Sequence, residues 1–384
     1  MEAYFDHAAT TKVSDSALKA MLDCYTRCWG NPSAQHGAGQ RAKEKLEQAR
    51  AQMAQCLHCQ TREIYFTSGG TESDNQAVLT GAEAGRRQGK MHIVTTAFEH
   101  HGVLHPLKKL ENQGFSVTYL KIDPETHNIT PEQVQAAIRP DTCLVSVMYA
   151  NNEIGSILPI REIGAICRSA GVLLHVDAVQ AVGHIPVDVV LDQVDLLSLS
   201  AHKFGGPQGV GALFARRGLQ PERLLEGGGQ ERGKRPGTEN VPAICGMAAA
   251  LTESCSQMEE STRAITAMAE KIRDTVKNIP GSHENGDPRH RLPGIVSFSF
   301  EGVAGETLLI LLDGKGIRAS AGSACTSGSL EPSHVLLAAG RSPELAAGTL
   351  RLSLGSDNTM EQTEYLCREL PGLIQSLQNT QRGR

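Results

Sequence analysis

No stretch of this 384-residue sequence approaches the ~18 consecutive apolar residues of a membrane span. Nor is there an excess of positive charge. Lys plus Arg total 37 against 42 Asp plus Glu, a net charge of −5, so nothing favours nucleic acid or an anionic membrane surface as a partner. A small-molecule substrate is the better expectation. The start, Met1-Glu2-Ala3-Tyr4-Phe5-Asp6-His7, has no basic segment followed by an apolar run, so a cytoplasmic location is expected. The cysteines, ten from Cys24 to Cys367, are too dispersed for the framework of a small secreted domain. Cys56-Leu57-His58-Cys59 has metal or redox spacing, but no second CxxC completes a tetrahedral zinc site, and these thiols are read as structural. Internal repeats and low-complexity tracts are also missing.

What is present is an alternation of short β-branched runs with longer helical patterns through the first two thirds, which argues for a parallel sheet covered by helices. The strands expected are 63–66, 93–96, 116–120, 144–149, 172–176, 196–199 and 210–214, with helices at 131–138 and 160–170. Residues 261–279 form a helical stretch with Ile265, Met268, Ile272 and Val276 on one face, stopped by Pro280. It reads as the link into a second domain, with a boundary near 257, because 384 residues exceed one ordinary core. Beyond it come a strand at 295–300, a helix at 306–312 and a strand at 350–354.

Several polar residues stand just past strand ends, where open α/β sheets bind ligands. Lys203 follows Leu196-Leu197-Ser198-Leu199-Ser200-Ala201-His202. A lysine in a loop is ordinarily a solvated charge. Asp177 ends a second strand, and an acid beside such a lysine suits pyridoxal 5′-phosphate (PLP), which needs an amine for its aldehyde and a carboxylate for its ring nitrogen. Gln180 can reach the phenolic oxygen of that cofactor. Thr67-Ser68-Gly69-Gly70-Thr71 follows a strand and opens a helix whose free N–H groups can take a phosphate; Ser200 and His202 add donors. His100 and His101 both stand at a strand end, and chemistry alone does not choose between them. Cys325 lies in Ser320-Ala321-Gly322-Ser323-Ala324-Cys325-Thr326-Ser327-Gly328-Ser329, a run too small and polar for core.

Together these residues resemble the NifS/IscS-like cysteine desulfurases of the class V aminotransferase family, nearly end to end. The resemblance is carried by 4–11, Gly30-Asn31-Pro32-Ser33, 67–75, Glu99-His100, Asn151-Asn152-Glu153-Ile154-Gly155, 175–180, 200–203, Arg235-Pro236-Gly237-Thr238 and, most specifically, Ser323-Ala324-Cys325-Thr326-Ser327 with Glu331-Pro332-Ser333-His334. The sequence departs from the family at Ala321, Pro236 and Gln208, none of them a catalytic position.

The resemblance implies the aspartate-aminotransferase-like fold type I of PLP-dependent transferases: residues 1–14 as an arm belonging to the small domain, 15–256 as the large domain, and 257–384 as the small domain. It makes Lys203 the Schiff-base lysine, Asp177 the ring-nitrogen partner, Gln180 the phenolic-oxygen contact, and His100 the stacking and proton-transfer residue. Phosphate contacts fall on Gly70, Thr71, Ser200 and His202, with Thr238 arriving from the second subunit of a homodimer. Asn152 and Arg351 hold the substrate carboxylate, with Asn152 also at the cofactor, and Cys325 accepts sulfur. The implied activity turns L-cysteine into L-alanine and a persulfide on Cys325, for an acceptor protein such as an iron-sulfur scaffold. Selenocysteine lyase or another class V activity is the alternative.

Overall fold

The computed structural model describes residues 1–123, 126–322 and 332–382, with the side chains of 381 and 382 excepted. In chain order the strands are β1 (Ala3–Tyr4), β2 (Ile64–Thr67), β3 (His92–Thr96), β4 (Ser116–Leu120), β5 (Thr142–Met148), β6 (Leu173–Asp177), β7 (Leu196–Ser200), β8 (Gly211–Ala215), β9 (Ser282–Glu284), β10 (Ile295–Phe300), β11 (Ile317–Arg318) and β12 (Thr349–Ser353). The helices are α1 (Asp15–Arg27), α2 (Gly37–Cys56), α3 (Gly70–Arg86), α4 (His101–Glu111), α5 (Pro131–Ala137), α6 (Ile160–Ala170), α7 (Val241–Lys277), α8 (Gly305–Gly314), α9 (His334–Ala338), α10 (Pro343–Ala347) and α11 (Met360–Arg382).

Strands β2 to β8 form one seven-stranded sheet in the order β2-β8-β7-β6-β5-β3-β4. Only β8 runs against its neighbours; the other pairings are parallel. Every residue of β2, β3, β5, β7 and β8 is buried, as expected of strands covered by helices on both faces. A second unit pairs β12-β10-β9 antiparallel and β1 with β11.

Each unit has its own apolar core. The larger includes Phe66, Val145, Leu174, Leu197 and Met247; the smaller joins Phe5, Met268, Ile272, Phe298, Phe300, Leu352 and Leu366. The helix expected from residue 261 in fact begins at Val241 and runs unbroken for 37 residues, about 55 Å. Ala243 to Leu251 bury in the first core and Ile265 to Val276 in the second, while none of residues 252–264 is fully buried. Periodicity revealed only the half that faces the second core, because the small residues Ala243, Gly246, Ala248 and Ala250 make a weak apolar stripe.

Candidate active site

At the carboxyl ends of β5, β6 and β7 lies a cleft of about 780 Å³, bordered by Gly70, Thr71, His100, Asn152, Asp177, Gln180, Ser200, His202, Lys203 and Arg351. Ten residues expected at the site from sequence thus converge from six separate segments. Thr238 does not border the cleft and is exposed; Cys325 lies outside the described residues.

Lys203 sits on a short turn after β7, and its Nζ donates to the carbonyls of Ala8 at 2.5 Å and Ala9 at 3.0 Å. His202 beside it contacts Thr10 Oγ1 at 3.1 Å, and burial, with the Lys203 charge second, drives its imidazole down to about 4. It is therefore neutral at physiological pH. The start of α3, at Gly70 and Thr71, presents N–H groups that have no intrahelical acceptor. A Cβ built on Gly70 would lie 2.7 Å from Val179 Cγ2, and one on Gly69 would lie 3.7 Å from Ser200 Oγ. Glycine thus brings the backbone up to Ser200 and leaves a cradle that a side chain would fill.

Asp177 accepts from the Val179 N–H at 3.0 Å. Burial raises its carboxyl, and His100, that N–H and Lys203 oppose the rise. His100 caps α4: its Nδ1 accepts from the Gly102 N–H at 2.9 Å, so in the neutral ring the proton must sit on Nε2. Gln180 donates to the Ala8 carbonyl at 2.9 Å. Arg351 is 1% exposed; its Nη2 donates to Asp6 Oδ1 at 2.7 Å and its Nη1 to the Asn152 carbonyl at 3.1 Å. Its Nε has no partner among the described residues and lies beside the cleft as a donor that suits a carboxylate.

Sequence reasoning missed the polar layer beneath the cleft. His175, two residues before Asp177 on the same strand face, is fully buried between Ser146 Oγ at 2.8 Å and Ser198 Oγ at 3.0 Å. Burial lowers its imidazole to about 3. Asp74 Oδ1 lies 3.7 Å from His175 Nε2 and makes no hydrogen bond among the described residues. Burial first, then the Asp177 charge, hold Asp74 well above the usual carboxylate range. Glu99 accepts from Thr96 Oγ1 at 2.6 Å and from the Met148 N–H at 3.0 Å, and burial pushes it up to about 8. The signal was available: a period-2 reading of β6 places His175 on the Asp177 face, and buried strand positions seldom carry histidine without partners.

Residues 3–366 match the family described as aminotransferase class V. The chain belongs to that family. It is 48% identical over 376 residues to the cysteine desulfurase IscS of Methanosarcina thermophila, covering 98% of this chain and 93% of that one. It is 46% identical to the IscS of Clostridium botulinum strain Hall, covering 97% and 94%. Among solved structures, one named a NifS-like protein superposes with a TM-score of 0.91 at 38% identity, covering 98% of this chain and all of that one. Another, SspA in complex with cysteine, gives 0.80 at 34% identity, with 93% of this chain covered. The fold is that of the PLP-dependent transferases of fold type I. The family is PLP-dependent, and the donor set fits that cofactor: an amine at Lys203, a buried acid at Asp177, and a glycine cradle at a helix start beside a hydroxyl.

Proposed function

We propose that the chain is a cysteine desulfurase, converting L-cysteine to L-alanine and passing the sulfur to Cys325. The observation that carries this is the convergence of Lys203, Asp177, His100 and Arg351 on one cleft of a chain that matches an IscS over 98% of its residues. Pyridoxal phosphate supplies an aldehyde that condenses with amines and a ring that draws electrons from the substrate Cα. In this reading Lys203 anchors the aldehyde and takes the Cα proton at Nζ. Asp177 faces the ring nitrogen, Gln180 the phenolic oxygen, and Gly70, Thr71, Ser200 and His202 the phosphate. Arg351 grips the substrate carboxylate with Asn152 beside it, and His100 stacks on the ring and moves a proton at Nε2.

The Cys325 thiolate then bonds to the substrate sulfur while the Cβ–S bond breaks. The electron pair stays with the three-carbon fragment, which takes up a proton and leaves as alanine. The setting of the neighbouring segments supports this role. Ser333 Oγ donates to Glu153 Oε2 at 2.6 Å, and a Cβ on Gly322 would lie 3.3 Å from the same oxygen. Gly322 and Ser333 therefore both stand at Glu153, the residue after Asn152 of the cleft.

The working unit is a homodimer in this reading, with Thr238 of each subunit completing the phosphate site of the other. The exposed stripe Leu18, Leu22, Tyr25 and Trp29 on and after α1, with Trp29 71% exposed, suits burial against a second copy. The small domain is 257–384 with the arm 1–14, the large domain 15–256. None of the nine described cysteines is in a disulfide, and no helix among the described residues is long and apolar enough to cross a membrane, in keeping with a cytoplasmic enzyme. An acceptor protein such as an iron-sulfur scaffold would receive the sulfur.

One exposure to L-cysteine without reductant, followed by peptide mass spectrometry, is expected to find one added sulfur atom on the Cys325 peptide. Cys325→Ala should keep bound cofactor and its visible absorbance but release no alanine. Added sulfur confined to Cys56 or Cys59, with Cys325→Ala still active, would overturn the assignment.

A further inference from the structure

Residues 231–235 are pinned to the strand and turn that form this subunit's own phosphate cradle. Glu231 is buried, with Oε1 accepting from Arg50 Nη2 at 2.7 Å and Oε2 from both Arg50 Nη1 at 2.8 Å and the Phe66 N–H at 2.9 Å. Arg232 Nη2 donates to the Ile64 carbonyl at 2.6 Å, and its guanidinium lies 4.0 Å from the centre of the Tyr65 ring. The Lys234 carbonyl accepts from Gln76 Nε2 at 3.0 Å. Arg235 Nε donates to Glu72 Oε1 at 2.9 Å, while Glu72 Oε2 accepts from the Ser68 N–H at 2.8 Å. Ile64, Tyr65 and Phe66 belong to β2; Ser68 and Glu72 bracket Gly69-Gly70-Thr71.

The backbone here is costly. Glu231 at φ 45°, Arg232 at 56° and Gly233 at 74° give consecutive left-handed residues, two of them with side chains. Such strain persists only where the surroundings over-determine it, and it clusters at functional segments. This clamp ends three residues before Thr238, which is exposed and outside its own subunit's cleft.

We infer that Arg235, through its pair with Glu72, is a positioning residue that fixes the Thr238 segment to its own subunit's phosphate turn, so that one rigid element serves two phosphate sites. The inference rests on the reading that Thr238 completes the phosphate site of the neighbouring subunit. Its consequence is that a change at residues 68–72 of one subunit is felt at the cofactor of the other.

Arg235 is the residue to change, since its pair with Glu72 is partly exposed at 27% and 16% and its loss leaves the buried Arg50–Glu231 pair intact. The test titrates cofactor-free dimers of the wild type, Thr238→Ala, Arg235→Ala and the double variant with pyridoxal phosphate, following absorbance and intrinsic fluorescence. Loss of a hydrogen bond to a charged phosphate is expected to weaken binding about tenfold in Thr238→Ala. Arg235→Ala should lose a comparable factor. The double variant should bind no more weakly than the weaker single variant, because Arg235 acts through Thr238. Glu72→Gln, which breaks the same pair from the other side, should match Arg235→Ala, with the thermal unfolding of each cofactor-free protein unchanged. Wild-type binding by Arg235→Ala, or losses that multiply in the double variant, would overturn the inference while leaving the Thr238 reading standing. Wild-type binding by Thr238→Ala would overturn that reading, and the inference with it.

Discussion

Glu99 and His175 are buried in the charge state that burial prefers, and each makes stability depend on pH. Glu99 titrates near 8 in the folded protein against a usual value of 4.5. The unfolded chain therefore loses that proton first, and the fold pays an increasing penalty as pH rises from about 4.5 to 8. Glu99→Gln keeps an acceptor for the Met148 N–H and cannot ionise. It should match the wild type in urea unfolding at pH 5 and exceed it at pH 8. His175 gives the opposite sign, because its folded value near 3 lies below the usual 6.5. Its contribution is present above pH 6.5 and is lost as pH falls toward 3. His175→Gln should therefore flatten the acid side of the stability profile.

Arg351 holds Asp6 with one terminal nitrogen and leaves Nε without a partner among the described residues. Arg351→Ala should raise KM for L-cysteine steeply, by about 10²-fold for a lost charge-assisted pair of 1.5–3 kcal/mol or more. Cofactor absorbance should persist, and steady-state kinetics beside a spectrum decides it. At this scale the site was legible where polar residues follow strands: the rule of strand ends pointed to Lys203, Asp177 and the glycine turn, while the choice of His100 over His101 came from the family resemblance. Asp74 and Glu99 were not legible, because their chemistry comes from burial, which depends on packing between elements, and for His175 the strand period gives its face but not its hydroxyl partners.

The elements themselves were read from apolar runs, and the seven sheet strands emerged within one or two residues of their expected bounds. The reversal of β8 was not legible, since direction is set by the connection rather than by residue pattern. The turn into α3 shows how an element makes a site. Adding a methyl group at Gly70 places it 2.7 Å from Val179 Cγ2, so Gly70→Ala should cost about 1–3 kcal/mol from overpacking. Its cofactor affinity should fall with it, whereas Gly89→Ala, at the positive φ of 72° but with open space around it, should alter stability alone. Titration of the two cofactor-free variants separates these effects.

Across the whole molecule, α7 is shared by two cores and belongs wholly to neither. Its stretch from 252 to 264, without a fully buried residue, joins two apolar halves. Gln257→Pro removes a helical hydrogen bond and should cost about 3 kcal/mol. Unfolding of the variant should show two transitions where the wild type is expected to show one, with the core around Phe298 and Leu352 melting separately from that around Val145 and Leu197. Calorimetry of the variant beside the wild type reads this directly.

With Cys325 as the proposed sulfur acceptor, the bond of Ser333 to Glu153 and the closeness of Gly322 to the same carboxylate bear on how far sulfur could travel. Cys325 follows Gly322 by three residues, and an extended chain spans at most ~3.6 Å per residue, so its Cα stays within roughly 11 Å of that of Gly322. In the proposed mechanism, chain length alone thus gives the sulfur a short leash from Gly322. If Cys325 carries the sulfur as proposed, a recipient whose cysteine lies in a recess deeper than that leash should be unable to accept sulfur, however tightly it binds.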